Sequence, residues 1–587
     1  MTNIIYTVIT FSPVQGFIEK SRKLRDLYGS SYLLSYLSWV ICSVAQKHDC
    51  QVISPALPNI TQGMPNQIII EGNFPEENVK LALLTAWECV TETCREWVED
   101  NVKGEWEYIS WKRNWGLWRK YAWEFFWVQG NPGESITCVR EKLNEKKRGR
   151  DWTGINWQGE SSTLSGADAI AYPKLGQISD PRNYNYQQEK KDVTAFYTAL
   201  SEKLGESFID PKEELSIPEL IKRMITYEGV SQKLIERLRR VFGENQANIE
   251  ELIQGIEQIS KDLQPSSFKD LNRHQNRGFQ GWFQGDGDKA GEYLKKYPER
   301  THDFSKNMRD WGKWFKNKPF KMGRVIYAGG DDFLGVFYDK DDLGEKLESR
   351  YCVDWLSDFK PKIWHENKTS KDEQKKITVS VGFVWTFPGI PQRDVLQHCR
   401  EAEKSAKSNG RDRIAFRILF NNGNHLEWVC PWWLLEAGLL SSYRDREGKQ
   451  NWTHIYSDVA VLESRHAFGK RVKDTDDECD CSCDDESNCS CDNESNCSSD
   501  DTGIKISLAL FKIYFPSKAD IFERDNTLWN HIDQEDEESE KIIGGILGYR
   551  KMYYHKHTEK INKTKVKKAL TNWIINLAKV GFHLCQQ

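Results

Sequence analysis

The chain lacks an apolar run long enough to cross a membrane. Its longest, 32–45, is interrupted by Ser and Tyr and falls short of the roughly 18 residues a span requires. The opening residues, MTNIIYTVITFSPVQ, have neither a basic n-region nor a small-residue cleavage site and read as a strand, not as a signal peptide. Charge of one sign is not in large excess either, with 82 Lys+Arg against 87 Asp+Glu. These absences point to a cytoplasmic protein with no membrane partner, and the 39% hydrophobic and 12% aromatic content excludes a disordered, collagenous or coiled-coil chain. What is abundant is tryptophan, 23 residues of 587, which water does not tolerate at that density without large cores. The length itself suggests about four folding units.

The 15 cysteines fall into two sets. Nine lie among apolar positions and read as reduced core residues. The other six lie between Cys479 and Cys497, where CSCDDESN and CSCDNESN follow one another as a near-perfect repeat with no apolar residue to build a core. From 474 to 501 there are 12 acids and no base, so removing that segment from a net charge of −5 leaves +7 on the rest. A disordered, acidic, Cys-rich insertion in a surface loop is expected, covering a mildly basic body that favours an anionic partner. A thiolate metal site is the alternative. Cys-x-Cys spacing without His argues against it.

Periodicity orders the elements. Residues 4–11 alternate as a strand, and Ser12-Pro13 starts a helix that runs on towards residue 47 with a break near Gly29. Strands are expected at 51–54 and 67–71, a helix at 76–99 and a strand at 122–128, which gives βαββαβ, a ferredoxin-like domain over 1–131. Residues 132–273 read as a polar, helical linking domain. A second strand-helix succession fills 274–428. It has a strand at 278–288, a helix to about 317, two short strands joined at 329–332, a helix at 341–365, a strand at 377–385, a helix at 392–408 and a strand at 414–419. Residues 429–587 read as a helical C-terminal domain carrying the insertion at 474–501. The fold class is α+β.

Chemistry concentrates in AGGDDFLGVF, 328–337. Gly329 and Gly330 make a turn that a phosphate can approach closely, because neither carries a Cβ, and Asp331 and Asp332 follow at the strand edge. Upstream, Asp286 and Asp288 end a strand of the same expected sheet in QGDGDKAG. Convergent carboxylates are hard-oxygen ligands for Mg²⁺ or Mn²⁺, and two such ions activate a hydroxyl and stabilise a leaving phosphate. Lys407 and Arg411 close a helix before the last strand. There they balance triphosphate charge, or in the blander reading complement the helix dipole.

A strand-end Asp, a Gly-Gly-acid-acid hairpin and a late helix ending in Ala-Lys before Gly-Arg resemble palm domains of the GGDEF and nucleotidyl-cyclase type. More narrowly, SPVQGFIEKSRKLRDLYGSSYLLS at 12–35, GDGDKAG at 285–291, GGDD at 329–332, SVGFVW at 380–385 and AKSNGRDRIAFRIL at 406–419 together resemble the large subunit of type III CRISPR effector complexes of the Cmr type. The resemblance implies two ferredoxin-like palm domains with helical linking and C-terminal domains. It also implies a cyclic oligoadenylate synthetase acting with other subunits, crRNA and target RNA. By that likeness Asp286, Asp331 and Asp332 hold two metals, and Gly287, Asp288, Lys289, Gly329, Gly330, Lys407 and Arg411 contact ATP, the substrate. Ser30 and Ser31 face a second nucleotide, or merely mark a helix break.

Two departures matter. The His-Asp dipeptides are His48-Asp49 and His302-Asp303, neither among further histidines, so the HD nuclease of many relatives is expected to be absent. Where relatives often place a Cys-rich zinc element, 162–175 has Ser162 and Ser165, so no zinc is expected. A stand-alone cyclase making a cyclic dinucleotide is disfavoured by Asp332 where diguanylate cyclases carry Glu. A catalytically silent scaffold remains the non-enzymatic alternative. Deleting 474–501 should leave thermal melting and nucleotide chemistry nearly unchanged, because each halving of loop length alters closure by only about 0.6 kcal/mol. Loss of stoichiometric zinc with a lower melting temperature would show instead that the cysteines form a structural site.

Overall fold

The computed structural model describes residues 4–149, 154–177, 182, 185–243, 247–264, 278–318, 320–339, 346–365, 377–468, 498–523, 525–530, 544–555 and 560–586. In chain order the elements begin with β1 (Tyr6–Ser12), α1 (Val14–Glu19), α2 (Leu24–Lys47), β2 (Gln51–Ser54), β3 (Gln67–Glu71), α3 (Glu76–Asn101), α4 (Ile109–Tyr121) and β4 (Glu124–Gln129). Helices α5 (Ile136–Arg148), α6 (Tyr186–Leu204), α7 (Ile217–Met224), α8 (Glu228–Phe242) and α9 (Ala247–Asp262) follow, then β5 (Gln280–Gly287), α10 (Ala290–Lys296), α11 (Thr301–Asn317), β6 (Arg324–Ala328) and β7 (Asp332–Phe337). The chain ends with α12 (Ser349–Ser357), β8 (Val379–Thr386), α13 (Gln392–Ser408), β9 (Arg413–Leu419), β10 (His425–Pro431), α14 (Trp432–Glu436), α15 (Thr453–Ser464), α16 (Ser498–Tyr514), α17 (Asp525–Leu528) and α18 (Lys563–Cys585).

Two compact units result, each assembled from separated stretches of sequence. The first holds Met1–Gly278, Lys289–Lys346 and Gly389–Gln397; the second holds Phe279–Asp288, Leu347–Pro388 and His398–Gln587. Among the described residues no helix is long and apolar enough to cross a membrane.

In the first unit the antiparallel order β2-β3-β1-β4 is the ferredoxin-like arrangement expected from the pattern. Successive side chains of a strand face opposite ways, and both faces here are covered. Ile9, Phe11, Ile68 and Ile70 pack with Leu33, Leu37 and Val90 of α2 and α3. Val8, Ile53, Ile69 and Phe126 pack with Ile136, Val139 and Leu143 of α5. That two-sided burial is why β3 reads as an unbroken Ile-Ile-Ile.

The first helix breaks at 20–23, not near Gly29. The Asp26 carboxylate accepts the Arg22 and Lys23 N–H groups at 2.8 and 2.9 Å, which caps α2 from within its first turn. Gly29 sits inside α2 for packing, since a Cβ there would lie 2.1 Å from the Lys222 carbonyl of α7. The Trp-rich stretch before β4 forms α4, whose Trp111 and Trp115 are buried, and the following strand begins at Glu124. Arg223, fully buried on α7, bridges Asp26 at 2.7 Å and Glu213 at 2.5 Å, and Lys23 adds a 2.8 Å contact to Glu213.

In the second unit β10-β9-β8-β5 lie in that order, with β8 parallel to β9 and the other two pairings antiparallel. Strand β10 was not expected from sequence, where the last strand of the second palm is 414–419 and residues from 429 read as helical. Helix α12 starts at Ser349, later than the expected 341, and 360–364 is a single π-helical turn. Trp432 and Trp364 donate their indole N–H groups to the Val379 and Ile377 carbonyls at 2.7 and 3.1 Å, and Trp573 of α18 donates to Val429 at 2.8 Å. Gly581 of α18 admits the Trp452 ring, which a Cβ would meet at 2.1 Å. Most of the tryptophans among the described residues are thus core. The nine cysteines outside the repeat are free, and all but Cys138 are buried. The acidic repeat lies outside the described residues as far as Cys497, and its last residues, from Ser498, open α16.

Burial pushes the Glu213 carboxyl up, but Arg223 and Lys23 outweigh it and hold it at about 2. Glu213 therefore contributes stability that is complete above the unfolded carboxylate value of about 4.3 and is lost as pH falls from there towards 2. Arg223→Met should cost about 3–5 kcal/mol, because it strands two buried carboxylates. Denaturant melts of the variant at pH 7 and pH 3 check both points, and the gap between wild type and variant should narrow in acid.

Candidate functional site

The Gly-Gly-Asp-Asp turn joins β6 to β7 in the first unit, with the Gly329 N–H donating to the Asp332 carbonyl at 3.3 Å. Its two glycines serve different ends. A Cβ on Gly330 would meet nothing within 4 Å, so that face is open. A Cβ on Gly329 would lie 3.3 Å from the Gly63 carbonyl carbon, so that face is closed by the loop between β2 and β3. Asp332 is exposed and Asp331 half-buried. Asp331 acts on Arg140 of α5, whose guanidinium burial disfavours and the carboxylate's charge favours.

Beneath the turn, Arg309 of α11 is buried and donates to the Gly63 carbonyl, to Gly329 at 3.0 Å, to Asn59 at 3.1 Å and to Leu57 at 3.3 Å. The Ala328 N–H donates to the Gln62 carbonyl at 3.2 Å. Gly312 allows this approach, since a Cβ there would stand 2.4 Å from the Ala328 carbonyl oxygen. Ser31 lies by Gly63, within 3.5 Å of where its Cβ would be. Ser30 is fully buried, with its hydroxyl donating to the Asp26 carbonyl at 2.7 Å. Lys289, exposed at φ 57°, pairs with Glu292 at 3.3 Å.

The second unit holds the end of β5. Gly382 of β8, paired with Gln284, lets α13 settle onto the strands, as a Cβ would lie 2.3 Å from the Glu403 nitrogen. That approach sets the Glu403 carboxylate to accept from the Gln284 amide at 3.0 Å and from Lys407 at 2.6 Å. Lys407 also pairs with Asp286. Burial raises the carboxyl pKa of both Asp286 and Glu403 against the opposing pull of Lys407, and the two carboxylates together raise that of Lys407 over its desolvation.

Asp288 differs from its neighbour. It is buried, and its carboxylate accepts from Ser380 Oγ at 2.6 Å, Thr378 Oγ at 2.8 Å and the Asp412 N–H at 3.0 Å. These bonds brace the strand end. Gly287 is the buried last residue of β5. Arg411, at φ 61°, reaches the Tyr549 hydroxyl at 3.4 Å, while Asp412 pairs with Lys360 at 2.6 Å. Glu403 and Arg309 were not singled out from sequence. Glu403 had a readable signal, four residues before Lys407 on one helix. Arg309 had none.

Ser162, where zinc ligands were expected to be missing, donates to Glu219 at 2.5 Å and accepts the Leu164 N–H at 3.0 Å. Hydrogen bonds make that turn. His48 contacts Asn78 at 3.3 Å and His302 contacts Asp303 at 3.5 Å, both exposed. Among the described residues no three His, Cys, Asp or Glu side chains are gathered in a way that would hold a metal ion.

Residues 6–110 match the family model of the N-terminal region of CRISPR-associated protein Cmr2, and residues 279–415 match that of the second palm domain of Cas10/Cmr2. Both family models that match belong to the Cas10/Cmr2 group, and each covers one stretch of the chain. No curated protein matches it. Among solved structures it is similar to a type III-B Cmr-beta complex in the apo state (TM-score 0.44, 13% identity, 79% of this chain and 74% of that one). It is also similar to a Csm1-Csm4 cassette in complex with cA4 (TM-score 0.39, 13%, 79% and 62%) and to one in complex with one ATP (0.38, 13%, 79% and 63%). The chain thus spans under two thirds of those Csm1 chains.

The contrast between the two β5 carboxylates is measurable. Asp288→Ala removes a charged acceptor from three donors, two of them buried, and should lower stability by about 3–5 kcal/mol. Asp286→Ala, at a half-exposed ion pair, should cost about 1 kcal/mol or less. Urea midpoints of the two variants give the comparison, and equal losses would contradict these assigned roles.

Proposed function

We propose that this subunit synthesises cyclic oligoadenylates from ATP within a crRNA-guided type III complex, in response to target RNA. The observation that carries this reading is the turn at 329–332. It presents an exposed Asp332 and a half-buried Asp331 beside the open face of Gly330, in a segment that matches a Cas10/Cmr2 palm. The matched stretch 279–415 also takes in Asp286, Lys407 and Arg411.

The donor set suits Mg²⁺ or Mn²⁺. Neighbouring carboxylates are hard-oxygen ligands, and Mg²⁺ is commonly held by one or two of them with substrate phosphates completing its shell. Asp331 and Asp332 would hold it, and the family resemblance alone adds Asp286 as a third ligand. When bound, the metal polarises the α-phosphate and offsets the charge that builds up on the leaving group. Lys407, held by Asp286 and Glu403 without ligand, transfers its contact to the triphosphate, assisted by Arg411 and Lys289. Gly287, Gly329 and Gly330 let the phosphates approach, and Ser31 borders the position of the second nucleotide. The 3′-hydroxyl oxygen of one ATP bonds to the α-phosphorus of another as the bond to pyrophosphate breaks. DNA cleavage is not part of this activity.

Asp331→Ala with Asp332→Ala should abolish oligoadenylate formation by the target-RNA-loaded complex in ATP with Mg²⁺ or Mn²⁺, while circular dichroism stays unchanged. The same complex should leave single-stranded DNA intact. Product mass spectrometry and a gel assay report both, and undiminished turnover in the double variant overturns the reading.

A further inference from the structure

Helix α11 handles the β2–β3 loop unusually. Three of its residues, spaced four and seven apart on one face, bind that loop's main chain. Ser305 Oγ accepts the Ala56 N–H at 2.9 Å, Arg309 donates to the Leu57, Asn59 and Gly63 carbonyls, and Lys316 donates to the Thr61 carbonyl. The same Arg309 guanidinium donates to Gly329, the first residue of the Gly-Gly-Asp-Asp turn. The loop it grips is held in an uncommon shape, with Leu57 at φ 52° and Gly63 at φ 87°.

A greasy side chain would anchor α11 more cheaply. Arg309 is instead 2% exposed, its Nε has no hydrogen-bond partner, and its partners on the loop and turn are neutral carbonyls. An unpaired buried N–H costs about 1–3 kcal/mol, so the packing is not optimised for stability at this point. The arrangement keeps one fork on both segments and one fixed positive charge near Asp332, whose carboxylate in turn favours the charged guanidinium.

We propose that Arg309 is the positioning residue of the Gly-Gly-Asp-Asp turn, locking the Gly329 carbonyl to the Gly63 loop so that the carboxylates after it are held in place. The consequence for metal binding rests on the function proposed above; the clamp itself does not. Arg309→Lys keeps the charge and loses the fork, Arg309→Met loses both, and Gly63→Ala strains the gripped loop while sparing the guanidinium.

Hydrogen exchange on the full-length chain reads the clamp directly. All three variants should exchange faster at the amides of 328–332, whereas Lys313→Met, exposed on the same helix, should not. Mn²⁺ alone, titrated by electron paramagnetic resonance, should bind roughly 10-fold more weakly to Arg309→Lys and more weakly still to Arg309→Met, the range seen when outer partners of metal ligands are removed. In the loaded complex kcat should fall with KM for ATP little changed. Unaltered exchange in folded Arg309→Lys and Gly63→Ala overturns the proposal. A wild-type chain that binds no Mn²⁺ at Asp331 and Asp332 overturns the metal reading instead and leaves exchange to decide the clamp.

Discussion

A guanidinium removed from water must find its hydrogen bonds in protein, and three fully buried arginines organise this chain around that requirement. Arg223 meets it with carboxylates, Asp26 and Glu213, and so ties the helical α7 to the first palm helix. Arg309 meets it with carbonyls of a loop and of the Gly-Gly-Asp-Asp turn. Arg413 donates to the Arg411 and Gly545 carbonyls at 2.9 and 2.8 Å and to the Asn530 side chain at 3.1 Å, which fixes the chain just after Lys407. The planar, five-donor fork suits such multi-segment junctions in a way that a lysine point charge does not.

Close approach makes these junctions possible. Gly29, Gly312 and Gly382 each sit where a Cβ would lie within 2.4 Å of a main-chain atom of a packed segment. Each lets one element settle near enough for a polar side chain to reach its target. At Gly382 the beneficiary is Glu403, which carries Lys407; at Gly312 it is the turn over Arg309. Gly548 and Gly410 interlock likewise, since a Cβ on Gly548 would stand 1.9 Å from the Asn409 carbonyl oxygen. The loop after Lys407 therefore takes its shape from the C-terminal segment, and the positive φ values of Arg411 and Asp412 are held by these contacts.

The carboxylates singled out from sequence divide by what surrounds them. Asp288 has its oxygens bonded by two hydroxyls and an N–H. Asp286 is one side of a partly exposed ion pair with Lys407. Asp332 is exposed at the turn. Two aspartates two positions apart thus have different surroundings, because residues i and i+2 of a strand face the same way only until the strand ends, and β5 ends between them.

Much of this was legible in the residues alone. Period-two and helical patterns located β2, β3 and α13 at their observed bounds and implied the ferredoxin-like order of the first sheet, since periodicity is a local property that burial of one or both faces imposes directly. The paired acids after two glycines, the late Lys407 and the acidic Cys repeat were equally plain. The tertiary structure alone decided which aspartate is braced, that Ser30 points inward, that Gly29 admits α7 instead of breaking a helix, and that Arg309 lies beneath the turn. Those outcomes depend on hydrogen bonds and close contacts between residues 124, 197 or 246 positions apart, as for Asp412 with Asp288, Arg223 with Asp26 and Arg309 with Gly63. No local pattern encodes such a pairing, because its energy is realised only when distant segments have packed.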